Sequence, residues 1–362
     1  MKLKNIAIAF LGALLFATCS KKDDEKEYTA EESKAVVRST MDNFYNCLQN
    51  LNDGGFANFF HELLFKEAVR DQEGETQSWG EFLGEKFDKQ NFAEGLTEGD
   101  RFNYHRMKGT YTWNKNTELW EKTANNENVT FIFPATKGAT NNGKLVIDQY
   151  EDTETTYGND KVYLPTAAHL YATIDNTKVF EVTVKNVTFE KKTNFTMPLS
   201  AHISIYTNPF TTTIQWNRQN PENFVFDFAF SSPQGCTTGL HADIKLTTSD
   251  YGNISSLEKA IDKIAFTATQ GELRIVGNID VKSLEEKGND RKLRVEEINT
   301  YAKAVLMKGN SKIADVKYEE ENDKGVIYFI FSDGSREKAE KYVSDFEDRV
   351  TQIFKRFERK NN

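Results

Sequence analysis

From about Phe102 to Phe331 the apolar residues recur at every second position, and that period limits the fold more than any other feature. Side chains alternate between the two faces of a strand, so a sustained period of two commits a chain to sheet. Val129, Phe131 and Phe133 alternate up to Pro134. Leu170, Ala172 and Ile174 run into the turn Asp175-Asn176-Thr177-Lys178, and Phe180, Val182 and Val184 resume on the return strand. Val187 and Phe189 continue out of phase, which predicts a bulge near Lys185-Asn186. Phe224, Phe226, Phe228 and Phe230 put four rings on one strand face, and Leu273, Ile275, Ile279 and Val281 read as another long alternating strand. Short polar turns join these runs and leave little room for crossover helices, so the sheet is expected to be mainly antiparallel. Val326 to Phe331 is apolar at consecutive positions, which predicts a strand covered on both faces.

At the two ends the period changes to 3.6. Thr29 and Glu32 make a capping box, and Val37, Met41, Phe44, Leu48 and Leu51 follow on one helical face. Asn52-Asp53-Gly54-Gly55 stops that helix. A second helix is predicted through Phe56, Phe59, Phe60, Leu63, Leu64 and Ala68, and a third from Trp79 to Phe87. After Asp333-Gly334-Ser335 a final helix is predicted, with Ala339, Tyr342, Phe346, Val350, Ile353 and Phe357 on one face. The 27 Phe and 14 Tyr supply ample core and lean towards sheet. The expected fold is α+β: a large, curved, mainly antiparallel sheet with N-terminal and C-terminal helices packed on it. The expected divisions are a helical segment over 29–100, a β domain over 101–334 and a C-terminal helix over 335–362. Residues 170–185 and 305–319 both read as strand, polar turn, lysine and strand, an echo that any two hairpins share.

The first residues carry a different message. Lys2 and Lys4 precede an apolar run from Ile6 to Thr18, after which Cys19 opens the polar stretch Ser20-Lys21-Lys22-Asp23-Asp24-Glu25. Charge, apolar length and small residues before the cysteine predict a signal peptide over 1–18, too short for a membrane span. The cysteine at the cut resembles the lipobox of bacterial lipoproteins, although Phe16-Ala17-Thr18 departs from its commonest Leu-Ala-Gly/Ala form. The acidic stretch resembles the export signal of Bacteroidetes-type outer-membrane and surface lipoproteins, a class without one assigned activity. That resemblance implies a diacylated Cys19, a flexible tether over 19–28, the membrane as a partner through the lipid, and an outer-membrane location at the cell surface. The strand layout is similar to that class, and more remotely to half-barrel lipoprotein carriers that wrap a sheet around a helix.

Recognisable chemistry is sparse. The formal net charge is −9, and loss of Lys2 and Lys4 with the leader takes it to −11. An acidic chain with no basic stripe is not expected to bind nucleic acid. There is no GxSxG elbow, Walker loop, GxGxxG turn or CxxC pair. His61-Glu62 lacks the second histidine of a metalloprotease, and His105, His169, His202 and His241 share no ligand spacing, so no metal or cofactor is expected. Cys47 is expected to pack beside the helical stripe and Cys236 to be a loop thiol. Their unrelated spacing favours two independent thiols over a bond between them. Of the acids Asp148, Glu151, Asp152 and Glu154, all but Glu151 would share one strand face while Glu151 points away, and Glu319-Glu320-Glu321-Asn322-Asp323 gathers oxygens. A solvated face and a solvated turn explain them as well as a carboxylate pair or a calcium loop. Trp113 and Trp120 flank the turn Asn114 to Asn116, as a cross-strand pair or a sugar-stacking platform. The expectation is a non-enzymatic protein that binds or carries an apolar ligand on the concave face of its sheet, with glycan binding beside an outer-membrane transporter as the alternative. The sequence names no ligand-binding residue.

Overall fold

The structure is a computed structural model, which describes residues 26–70, 76–95, 97–98, 101–157, 160–190, 197–250, 257–289, 291–343, 348–349, 351–352 and 355–357. Its centre is an open, mostly antiparallel sheet of 16 strands. The chain divides into two compact units, one of Gln49–Thr212 with the residues from Gln352, the other of the residues up to Leu48 with Thr213–Thr351. It enters through helix α1 (Ala30–Asp53). The expected capping box is there: the Thr29 N–H donates to Glu32 Oε2 at 2.9 Å, and the Glu32 N–H donates to Thr29 Oγ1 at 3.2 Å.

The unit from Gln49 begins with α2 (Gly55–Leu64), a small hairpin of β1 (Glu67–Arg70) and β2 (Thr76–Ser78), and α3 (Trp79–Lys89). A second small hairpin, β3 (Thr97–Glu98) with β4 (Arg101–Phe102), leads to the single turn α4 (Tyr104–Met107). Then come β5 (Gly109–Asn114), β6 (Leu119–Thr123), β7 (Val129–Phe133), β8 (Gly143–Tyr157), β9 (Asp160–Ile174), β10 (Thr177–Glu190) and β11 (Met197–Thr207). β5 lies between β6 and β7, antiparallel to the first and parallel to the second. From β7 to β11 neighbours run antiparallel. The core under β5–β7 is mostly aromatic: Trp79, Phe82, Phe87, Tyr111, Trp113, Trp120 and Phe133 are all buried. Burying an indole is favoured where its N–H finds an acceptor. Trp79 donates to the Pro134 carbonyl at 2.7 Å, and Trp120 to the Leu83 carbonyl at 3.0 Å. The predicted bulge is present, with Asn186 at φ +56° inside a register shift between Lys185 and Thr188.

β12 (Phe210–Asn220) begins in this unit and ends in the other. The other unit continues with β13 (Asn223–Ser231), β14 (Thr237–Leu246), the short α5 (Leu257–Ala260), β15 (Ile261–Gln270) and β16 (Leu273–Asp280). Helices α6 (Val281–Gly288) and α7 (Val295–Tyr301) precede β17 (Ala302–Lys308), β18 (Ser311–Glu321), β19 (Lys324–Ile330) and β20 (Arg336–Lys338). Register aligns Phe226, Ala242, Phe266, Gly277, Ala304, Val316 and Phe329 in one row across seven strands. Gly277 is required there, because a Cβ would stand 2.7 Å from the Phe266 ring and 2.6 Å from the Lys303 carbonyl oxygen. α7 is pinned to this sheet by Asn299, whose side chain donates to the Tyr318 carbonyl at 2.7 Å and accepts from the Tyr318 N–H at 2.9 Å. His241, Asp243, Lys245, Lys263, Lys303 and Lys317 are exposed on the opposite face.

α1 runs past the strand ends of this unit. Cys47 is bonded to Cys236 in the β13–β14 loop, with Cα atoms 5.9 Å apart. Thr40 lies beside the Gly271 turn, and the Lys34 ammonium sits 5.4 Å from the Phe331 ring centre. The expectation of two independent thiols is therefore corrected. The tertiary path of α1, which no spacing shows, brings them together. Two further readings change. Val281 does not extend β16 but starts α6, where the Asp280 carboxylate accepts from the Ser283 N–H at 3.0 Å. The C-terminal segment 335–362 is not one helix, since Arg336–Lys338 pairs with Tyr328–Ile330 as a strand and Ala339–Tyr342 is a 3₁₀ turn. Phe346, Val350 and Ile353 lie outside the described residues, while Phe357 packs on Phe60 and Phe65 of its own unit. The Val326–Phe331 reading holds at its centre, with Ile327, Tyr328 and Phe329 all buried.

Candidate functional site

In the unit from Gln49, the alternation of β8 to β11 separates the side chains into two faces. Register places three apolar rows on one of them. Leu145, Ala172, Phe180 and Thr207 form the first row, and Ile147, Leu170, Val182 and Ile205 the second. Tyr150, Ala168, Val184 and Ile203 form the third. The skipped residue between Ile147 and Tyr150 is the bulge at Asp148, which brings Tyr150 back to the apolar side. α2 covers the first row, where the Phe56 ring stacks on Phe180 at 5.2 Å. In the second and third rows Leu170, Val182, Val184, Ile203 and Ile205 are only half-buried. The reverse face of the same strands carries Gln149, His169, Glu181, Thr183 and Ser204. The aromatic core covers the β8 end of these rows, where Leu145, Ile147 and Tyr150 pack on it, so the half-buried stretch lies over β9 to β11.

A cleft of about 340 Å³ opens where β4 and α4 lie against β8, lined by residues of Arg101–His105, by Tyr150, Glu151 and Asp152, and by Thr166. The Asp152 side chain is 2% exposed and is held by Arg101 through two contacts, Nη2 to Oδ1 at 2.7 Å and Nε to Oδ2 at 3.1 Å. The Nε–Oδ2 hydrogen bond fixes the pair in direction, and the Nη2–Oδ1 approach adds charge attraction. Arg101 also lies over the Tyr163 ring at 5.3 Å, and the Phe102 ring meets Tyr150 edge-on at 4.9 Å. Burial raises the Tyr150 phenol above its ordinary value, and the Asp152 charge adds to the shift against the opposing Arg101. Tyr104 is raised by burial and then by Asp148. Both phenols therefore stay neutral well past physiological pH. Tyr104 Oη donates to the Ile147 carbonyl at 3.2 Å, which ties α4 to β8.

The sequence candidates are dispersed. Cys19 and the leader lie outside the described residues. Trp113 and Trp120 stand opposite each other on β5 and β6 with ring centres 5.6 Å apart, both buried, so they are a cross-strand core pair and not a sugar platform. A bulge at Asp148 breaks the alternation of β8, so Asp148 turns away from the face that Asp152 and Glu154 share, and the acids meet different cations: Asp148 with His169, Asp152 with Arg101, Glu154 with Lys161. The acids of the β18–β19 turn are matched likewise, Glu319 by Arg336, Glu320 by Lys292 and Glu321 by Lys338. His61 sits edge-on to the Phe357 ring, and Glu62 pairs with Lys66. Among the described residues no group of three or more His, Cys, Asp or Glu is placed to hold a metal ion. None of these helices is long and apolar enough to cross a membrane.

Two histidines are each flanked by two carboxylates on a sheet face. His169 contacts Asp148 at 2.7 Å and Glu181 at 3.1 Å, and His241 contacts Asp227 at 2.7 Å and Asp243 at 3.4 Å. Burial lowers the His169 pKa, but bonds to Glu181 and Asp148 outweigh it and the net shift is upward. The bond to Asp227 raises His241 against a smaller effect of burial. With the folded pKa raised, the stabilisation is complete below the ordinary value of 6.5 and fades as pH climbs through the folded value. Partial exposure keeps each contribution under about 1 kcal/mol. NMR titration should give both imidazoles midpoints above 6.5, and a midpoint at or below that value would remove the clamp.

Sequence reasoning missed the Arg101–Asp152 cleft, whose partners lie 51 residues apart and meet through a bulge. The nearest signal was the aromatic and charged run Arg101-Phe102-Asn103-Tyr104-His105 just before the first long strands. No family model matches the chain, and neither a curated protein nor a solved structure is significantly similar to it.

Proposed function

We propose that this chain is a lipid-anchored protein of the outer membrane, at the cell surface, that binds or carries an apolar ligand and catalyses no reaction. The anchor reading rests on the leader and Cys19. The binding reading is carried by one observation: Leu170, Val182, Val184, Ile203 and Ile205 of the second and third rows stay half-buried, beyond the helix that covers the first row. Soluble proteins cover such surface unless something binds there, because each Å² of apolar area kept in water forgoes roughly 25 cal/mol. The polar cleft beside the rows adds the few directed groups that fix a ligand's orientation.

Each half has its own test. Cys19→Ala should move the protein from the membrane pellet to the soluble fraction after a salt wash, and a variant that still pellets would end the anchor reading. Delipidated protein should bind an environment-sensitive apolar dye saturably, and a cell lipid extract should displace it. Dye binding that is linear and not displaceable would end the ligand reading.

A further inference from the structure

We propose that the unit containing α1 and β13–β20 meets the bilayer through one end of its sheet, where the β17–β18 and β19–β20 turns lie, held there by the anchor on Cys19. This rests on the reading of Cys19 as lipid-anchored and adds which part of the fold faces the lipid headgroups.

Six residues, Ser20 to Glu25, separate Cys19 from Lys26. A chain spans at most about 3.6 Å per residue, so Lys26 stays within about 25 Å of the acylated thiol. Lys26 is itself fastened to the sheet end. Its N–H donates to the Ser311 hydroxyl at 2.8 Å, where β18 begins. Two residues on, the Tyr28 carbonyl accepts from the Ser332 hydroxyl at 3.3 Å, in the turn that follows β19. The Tyr28 ring also meets two ammonium groups, Lys26 at 4.6 Å and Lys308 of β17 at 5.8 Å. α1 then continues along the same strand ends, past Phe331 and the Gly271 turn. The hold of the anchor is therefore applied at this end. β18 runs away from it for 11 residues, which places Glu321 about 33 Å from Ser311. A tether shorter than that strand keeps the near end low and leaves the far end free of the lipid.

The surface at this end suits contact with headgroups and not insertion among acyl chains. Glu272, Asn310, Lys312, Ser332 and Asp333 are exposed in its turns. Among the described residues the large apolar side chains that stand exposed are Leu119 and Val276, neither of them in these turns. The cations here are already matched: Lys26 by Glu32 at 3.1 Å, Lys308 by Glu272 at 2.7 Å and Lys312 by Asp315 at 2.9 Å. Attraction to an anionic leaflet comes from clustered Lys and Arg whose charge is not spent on neighbouring carboxylates. The orientation therefore follows from where the tether is fastened and not from surface charge.

The test reconstitutes the acylated full chain into phosphatidylcholine vesicles that carry a rhodamine-labelled lipid. With Cys19 acylated and Cys47 bonded to Cys236, the three cysteines of the chain are engaged, so an introduced thiol alone takes a maleimide dye. Asn310 and Lys324 are exposed and lie at opposite ends of β18. Dye on Asn310→Cys should transfer energy to the labelled lipid at least about twofold more efficiently than dye on Lys324→Cys, given the strand length between them. Inserting about twelve Gly and Ser residues before Lys26 should erase the difference, because such a linker adds roughly 20 Å of reach. Adding phosphatidylglycerol to the vesicles, or raising the salt, should leave the ratio unchanged. Equal transfer at the two positions, or stronger transfer from Lys324→Cys, would overturn the orientation. So would a difference that survives the longer tether, or one that salt abolishes. An acylated chain that fails to float with the vesicles would instead sink the anchor reading beneath it.

Discussion

Trp113→Ala is expected to destabilise its unit by about 3–5 kcal/mol, the usual loss for a large buried aromatic cut back to a methyl group. The ring is 3% exposed and meets three others: Trp79 at 5.9 Å, Phe82 at 5.9 Å and Trp120 at 5.6 Å, each close to edge-on. Edge-to-face pairs contribute beyond the area they bury, and the cavity left at Trp113 is walled by rigid rings that cannot collapse into it. The Trp113 indole also sits where two strands and α3 converge, so its loss reaches the whole cluster. Urea unfolding followed by circular dichroism measures the effect. A midpoint within error of the parent protein would place the ring at the surface and reopen the case for a sugar-stacking role.

Reduction of Cys47–Cys236 should produce the second large change. The bond closes a loop of 189 residues, and removing that constraint from the unfolded chain costs about 5 kcal/mol in the chain-entropy picture, with measured losses of about 2–5 kcal/mol. For a unit of this size that corresponds to a fall in thermal midpoint of roughly 4–20 °C. A variant with both Cys47→Ser and Cys236→Ser should start at the lowered midpoint and ignore reductant. A parent protein indifferent to reductant would show that the bond makes no contribution in the folded state.

The periodicities carried most of the fold. The strand positions, the antiparallel order, the Asn186 bulge and the Thr29–Glu32 cap depend on neighbours within a few residues, and local sequence encodes such features directly. What failed was decided at a distance or hidden by a coincidence of period. Val281 stands two residues after Ile279 and so extends an alternating pattern, although Asp280 and Ser283 already spelled a helix start. Arg336–Lys338 is a strand because the edge of β19 accepts it, which its composition does not announce. The acids Asp148 and Asp152 were assigned one face by simple alternation, and the β8 bulge at Asp148 separates them. The apolar rows were visible residue by residue, but their alignment with Tyr150 required the register, and the cleft required β4 and α4 to return over β8.

From β7 to β20 the spatial order of the strands is the order of the chain. Each strand can pair with the one made just before it, so the entropy of closing each loop stays small and the sheet can lengthen as the chain is synthesised. The N-terminal segment has no such option. The Lys26 N–H donates to the Ser311 hydroxyl across 285 residues, and the Ser332 hydroxyl donates to the Tyr28 carbonyl across 304. These partners do not exist until the last strands are complete. Among the described residues the first helix of the chain is thus the last to be seated, and in the interval Val37, Met41, Phe44 and Leu48 face water as an unpaired apolar stripe. Anything that delays β18 and β19 prolongs that exposure, so substitutions near the C-terminal end should show their first symptom as aggregation through a helix at the opposite end of the sequence.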